Sequence, residues 1–73
     1  MGKIKGWIKI NNLTYFNQGY VGGIAVESQS FNSDKFIVRH YKNGKIVFES
    51  GIFKKVEPAR EYMIKYMRLN PNG

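Results

Sequence analysis

Residues 35–53, KFIVRHYKNGKIVFESGIF, set two runs rich in β-branched and aromatic residues on either side of Asn43-Gly44, and no other stretch limits the fold so tightly. Asn and Gly both tolerate the positive φ of tight hairpin turns, so the pair marks a β-hairpin. Counting decides its register. A two-residue turn pairs His40 with Val47 and Val38 with Glu49, which mixes apolar and charged residues on both faces. A three-residue turn of Lys42-Asn43-Gly44, with Gly44 left-handed and bulged, pairs Val38 with Phe48, His40 with Ile46 and Phe36 with Ser50 on one face. The other face then carries Ile37, Arg39, Tyr41, Lys45, Val47 and Glu49. Because a slip of one residue exchanges the faces, the bulged register, with one side mostly apolar, is the one expected.

After Phe53 the hydrophobic period changes from that of a strand to that of a helix. Pro58 suits a first helical position, where its missing N–H leaves no bond unmade. From Ala59, the residues Tyr62, Met63, Tyr66 and Met67 recur on one stripe, with Arg60, Glu61, Lys65 and Arg68 off it and Ile64 as the exception. Lys65 and Arg68 suit the negative end of the helix dipole, and Asn70-Pro71 ends the helix. Ahead of the hairpin, GKIKGWIKI reads with a period of two as a strand over Lys3–Ile10. That reading puts Ile4, Ile8 and Ile10 on one side and Lys3, Lys5, Trp7 and Lys9 on the other. Asn11-Asn12 makes a turn and Leu13–Phe16 a short strand. Tyr20–Gln29 forms a further strand in which Gly22-Gly23 marks a bulge or a close backbone approach, and residues 30–34 are a loop. The sum is an α+β domain, an antiparallel β-sheet of three to five strands with one C-terminal helix packed on one face.

Seventy-three residues make a single domain, 1–73, and a chain of this length buries only about 60% of the surface that its unfolded form exposes. Without cysteine there is neither a disulfide nor a thiolate metal site. No apolar run reaches the roughly 20 residues of a membrane span and no signal-peptide core follows Met1, so a cytoplasmic protein that does not engage membranes is expected. Twelve Lys and Arg against five acids leave a formal charge of +7, with a pI near 9.9. A field of that sign on so small a body favours a polyanionic partner, either nucleic acid or an acidic protein surface.

Catalysis has little to work with. A single histidine, one aspartate and no cysteine supply no nucleophile held against a base. His40 falls on the apolar face beside Ile46, where a structural role fits it. Glu27, Asp34, Glu49, Glu57 and Glu61 show no pairing suited to glycosidase or metal chemistry, and neither GxxxxGK[ST] nor GxGxxG occurs. The expectation is a protein that is not an enzyme and takes no metal or cofactor. Aromatics interleaved with cations do occur, and the expected faces gather them outside the sheet: Lys3, Lys5, Trp7 and Lys9 from one strand, Arg39, Tyr41 and Lys45 from the hairpin. Cations of this kind neutralise phosphates, and an aromatic among them stacks on or wedges between bases.

The junction GIFKKVEPA sets Gly51, Phe53, Glu57 and Ala59 at offsets 0, 2, 6 and 8, after the strand FIVRHY and the turn KNGK. Over residues 35–67 this resembles the end of the AP2-type DNA-binding domain and the related N-terminal arm-binding domains of phage and transposon integrases. The resemblance implies three antiparallel strands on one C-terminal helix, with the exposed sheet face in the major groove of DNA. Arg39, Tyr41 and Lys45 are the contacts it implies. Separately, GKIKGW with GYVGGIAVE is similar to the first strand and the aromatic RNA-binding strand of cold-shock domains. The expected function is a small basic nucleic-acid-binding protein of a phage or mobile element, favouring double-stranded DNA over RNA through the outer sheet face. The alternative is a protein-binding module or inhibitor that sets the same face on an acidic partner. An unpaired edge strand could also join two copies.

Overall fold

A computed structural model describes residues 4–19, 21–30 and 34–73. Its elements in chain order are β1 (Trp7–Asn11), β2 (Thr14–Asn17), β3 (Gly22–Ser28), β4 (Phe36–Lys42), β5 (Lys45–Phe53) and α1 (Val56–Leu69). The strands form one antiparallel sheet in the order β1-β2-β3-β4-β5, each paired with its sequence neighbour. Helix α1 packs on one face, so the α+β layer pair is the architecture observed. Lys3, Tyr20 and residues 31–33, to which the sequence assigns two strand ends and part of a loop, lie outside the described residues.

Three stripes of the helix do different work. Ala59, Met63 and Met67, spaced by four, are fully buried and join Ile24, Val26 and Val38 of β3 and β4 in the core. Tyr62 and Tyr66 flank them on the side of β5, stacking on Phe48. Arg60, Ile64 and Arg68 flank them on the side of β1. Lys55 takes the N-cap position without a side-chain hydrogen bond, and Pro58 stands third in the helix rather than first. Its missing N–H still falls in the first turn, where no intrahelical partner exists.

The hairpin does not close in the expected three-residue turn. Lys42 pairs with Lys45 around Asn43 and Gly44, whose φ values of 54° and 83° are what a two-residue turn demands. Tyr41 then pairs with Ile46, one residue is passed over, and His40 pairs with Phe48. The extra residue is therefore Val47, inside β5, rather than part of the turn. A second irregularity follows Arg39↔Glu49, and there the Val38 N–H finds Ser50 Oγ at 2.9 Å. Phe48 keeps its expected place on the apolar side. Ile46 moves to the opposite face beside Tyr41, and Lys45 moves away from Arg39 and Tyr41 to the turn, on the side of His40.

The largest correction concerns the first strand, which does not run unbroken over Lys3–Ile10. The Trp7 N–H donates to the Ile4 carbonyl at 3.0 Å, closing a turn over Lys5 and Gly6 in which Gly6 has φ 84°. That turn breaks the alternation of sides. Ile4 and Trp7 are both buried with the helix methionines, while Ile8 and Ile10 are about half exposed. Trp7 is only 4% exposed, so the outward face expected for it is the wrong one. Its indole N–H donates to the Asn70 carbonyl at 3.0 Å, at the end of α1, where carbonyls lack helical partners and the dipole is negative. The tail then crosses Gly6 so closely that a Cβ there would run into the Pro71 carbonyl.

From Trp7 a row of rings spans the sheet–helix interface. Trp7 meets His40 edge-on at 5.6 Å, His40 meets Tyr66 at 5.4 Å, and Tyr66 stacks on Phe48 at 4.8 Å. Tyr62 links Phe48 to Phe53. Separations of this size are the favoured ones for aromatic pairs. Trp7 and His40 belong to strands three places apart, about 14 Å in a flat sheet, so the sheet curls toward the helix to bring them together. His40 is buried, and its Nδ1 shares a 2.9 Å hydrogen bond with the Tyr66 hydroxyl.

Two expectations about stability follow from this packing. Gly6→Ala combines a left-handed backbone with the Pro71 contact and should cost more than about 1–2 kcal/mol. Gly51→Ala, where a Cβ meets nothing within 4 Å, should stay within about 0.5 kcal/mol, and urea unfolding of the two variants checks both. Burial, and secondarily the charge of Lys42, holds the His40 pKa below its ordinary 6.5. The unfolded chain therefore binds the proton first as pH falls. Stability is full above the ordinary value and declines below it until the depressed folded value is passed. Urea midpoints taken between about pH 7.5 and about pH 5 should fall with pH, and His40→Phe should flatten the fall.

Candidate nucleic-acid interface

The residues expected to contact nucleic acid do not share one surface. Lys3 lies outside the described residues. Arg39 and Tyr41 do occupy the outer face of the sheet, opposite α1, but acids hold both. Arg39 donates from Nε to Glu49 Oε2 at 2.7 Å and from Nη1 to Glu27 Oε1 at 3.0 Å. The Tyr41 hydroxyl lies 2.9 Å from each Glu27 oxygen. Hydrogen bonds to Glu49 and then to Glu27 raise the Arg39 pKa further, while burial and then the Glu27 bond raise that of Tyr41. One cation against two carboxylates leaves this cluster with a formal negative charge. Around it Ile8, Phe16, Ile46 and Ile52 are 47%, 53%, 50% and 51% exposed. An apolar surface with an acidic centre offers a phosphate nothing.

Cations gather instead between β1 and α1. A groove of about 640 Å³ runs there, with Lys5 from the turn, Lys9 from β1, and Arg60 and Arg68 from the helix. Among the described residues that line it, none is acidic. Trp7 and Tyr15, both buried, form its floor, and Ile64 stands between the two arginines. Arg60 is oriented by donating its Nε–H to the Asn12 carbonyl at 2.9 Å, a bond that leaves its terminal N–H groups uncommitted. The strand edge adds a further donor. Gln18 N–H donates to the Gly6 carbonyl in register with Trp7↔Asn17, so the alternation of the ladder turns the Lys9 backbone N–H and C=O away from β2.

Lys5 and Lys9 thus remain near Trp7 as their spacing predicts, but on the helix side of the sheet. Lys45 sits at the hairpin turn, apart from both groups. Arg60 and Arg68 are the residues that sequence reasoning misses, because it counts both as positions off the buried stripe and Arg68 otherwise only as a cation at the helix end. The available signal is the series Arg60, Ile64, Arg68 at i, i+4, i+8, in which the apolar member marks a second, half-covered stripe. Among the described residues, no group of three or more His, Asp or Glu could hold a metal ion. Comparison of the chain with family models, with curated proteins and with solved structures yields no match.

Proposed function

We propose that this protein binds nucleic acid by its phosphate backbone, in the groove between β1 and α1. The observation that carries this reading is the convergence of Lys5, Lys9, Arg60 and Arg68 on one groove with no carboxylate lining it, in a chain of formal charge +7. Each cation that neutralises a phosphate releases a condensed counterion, and that release supplies affinity without reading sequence. The aromatic floor favours backbone contact over base stacking, because the faces of Trp7 and Tyr15 are spent on the core. Base readout by the outer face, which the AP2 resemblance implies, draws no support from an arginine already shared between Glu27 and Glu49.

Fluorescence anisotropy of a labelled DNA duplex, titrated with the protein at several salt concentrations, tests the reading. Four phosphate contacts predict a slope of log affinity on log salt of about −3 to −4. Lys9→Ala and Arg68→Ala should each weaken binding and reduce the slope by about 1, whereas Arg39→Ala should leave affinity unchanged in a folded sample. Loss of binding with Arg39→Ala, or none with the Lys9→Ala/Arg68→Ala pair, moves the site elsewhere. Polyglutamate binding more tightly than DNA at equal salt would replace the nucleic acid by an acidic protein partner.

A further inference from the structure

The groove does not end at its cations. Beside it lies a second hollow of about 330 Å³, lined by Lys5, Gly6, Gln18, Gly19, Pro71 and Asn72. The two share Lys5, Gly6 and Gln18. Closure of the fold creates this hollow, because the bond from the Trp7 indole to the Asn70 carbonyl lays the tail against the turn at Gly6. On its other side the Gly19 N–H donates to Asn17 Oδ1 at 2.8 Å, which fixes the chain that carries Gln18.

The chemistry changes from one hollow to the next. The larger gathers Lys5, Lys9, Arg60 and Arg68, whereas the smaller has one cation, Lys5, and the side-chain amides of Gln18 and Asn72. Among the described residues neither amide has a hydrogen-bond partner. Each sets a donor beside an acceptor. The edge of a nucleobase complements that pattern, the N6 and N7 of adenine most directly, while a phosphate only accepts. The space equals that of roughly ten waters, which admits a flat heterocycle. Trp7 and Tyr15 are buried in the core, so a base here is held by its edge and not by its face.

The walls of the groove decide which form of nucleic acid delivers that base. Arg60 and Arg68 stand eight residues apart on α1, about 12 Å along its axis, which exceeds the reach of one phosphate. Lys9 faces them from β1, so a backbone enters between the walls. In a duplex the base edges are paired and lie about 8 Å down in the grooves, and a backbone seated among the cations presents sugar to the hollow. A single strand turns a base aside freely, whereas a duplex must first unpair and unstack. Given phosphate binding in the groove, on which this rests, we propose that the ligand is single-stranded nucleic acid. Its backbone lies between β1 and α1, and one unpaired base sits edge-on against Gln18 and Asn72 in the smaller hollow.

Fluorescence anisotropy tests this with a labelled oligo(dA) of about 8 nucleotides, an abasic strand of the same length and a duplex hairpin of equal phosphate count. The oligo(dA) should bind about tenfold tighter than either, and the margin should persist as salt rises, because amide contacts release no counterions. Gln18→Ala/Asn72→Ala, at two exposed positions, should remove the margin and leave duplex affinity unchanged, with the near-ultraviolet circular dichroism of Trp7 reporting an intact fold. Duplex or abasic binding as tight as that of oligo(dA), yet still weakened by Lys9→Ala/Arg68→Ala, overturns the single-strand proposal and leaves the groove a phosphate site. A margin that survives the loss of both amides overturns the place given to the base. Adenosine monophosphate that competes as well as oligo(dA) replaces the strand by a free nucleotide. Absence of binding by all three nucleic acids removes the phosphate site itself, and this proposal with it.

Discussion

One hydrogen bond, from the Trp7 indole to the Asn70 carbonyl, ties the first strand to the end of the last element across 63 positions of the chain. The sheet as a meander needs nothing of the kind, since each strand already pairs with its sequence neighbour. What the bond adds is closure. It adds a second donor to the Asn70 carbonyl, which also accepts from the Gly73 N–H, and it places the largest side chain of the protein in a core that so short a chain can barely fill. The turn at Gly6, the close passage of Pro71 and the inward position of Ile4 all accommodate that one indole. The row of rings from Trp7 through His40 and Tyr66 to Phe48 then carries the packing across to β5.

Turning Trp7 inward has a consequence on each side of the sheet. On the helix side, Lys9 comes with it, to face Arg60 and Arg68 across a groove floored by aromatic rings. On the outer side, Ile8 takes the place that alternation from Ile4 would have hidden, and its cross-strand neighbours Phe16, Tyr41 and Ile46 complete an apolar surface. The charge is sorted accordingly. Two of the five acids are bound to Arg39 on the outer face, so the excess of cations belongs to the rest of the molecule. A body sorted in this way presents cations on one side and apolar surface on the other.

Much of the fold is legible residue by residue, and the places where it is not have a common cause. Asn43-Gly44 marks its turn because the requirement for positive φ is local. The change of period after Phe53 marks the helix because amphipathicity needs only neighbours three and four residues away. Within β4 alternation holds, and Val38 and His40 face the core while Arg39 and Tyr41 do not. It fails where the chain inserts one residue out of step, at the Ile4–Trp7 turn and at Val47. A single left-handed glycine or a single bulge exchanges the faces of everything beyond it. Its cost is small beside the burial of a tryptophan or of Phe48, so tertiary packing overrides the local pattern.

The candidate site divides along the same line. By itself the sequence determined the element types, their order, the single helix and the excess of positive charge, because these follow from composition and from interactions between near neighbours. Only the tertiary structure decided that Trp7 is a buried clamp, that Arg39 is shared by Glu27 and Glu49, and that Lys9 meets Arg60 and Arg68 across a groove. Each of these pairings joins residues at least ten positions apart. Their partners are chosen by register and by the curl of the sheet, and those depend on where one residue, at Gly6 or at Val47, leaves the alternation.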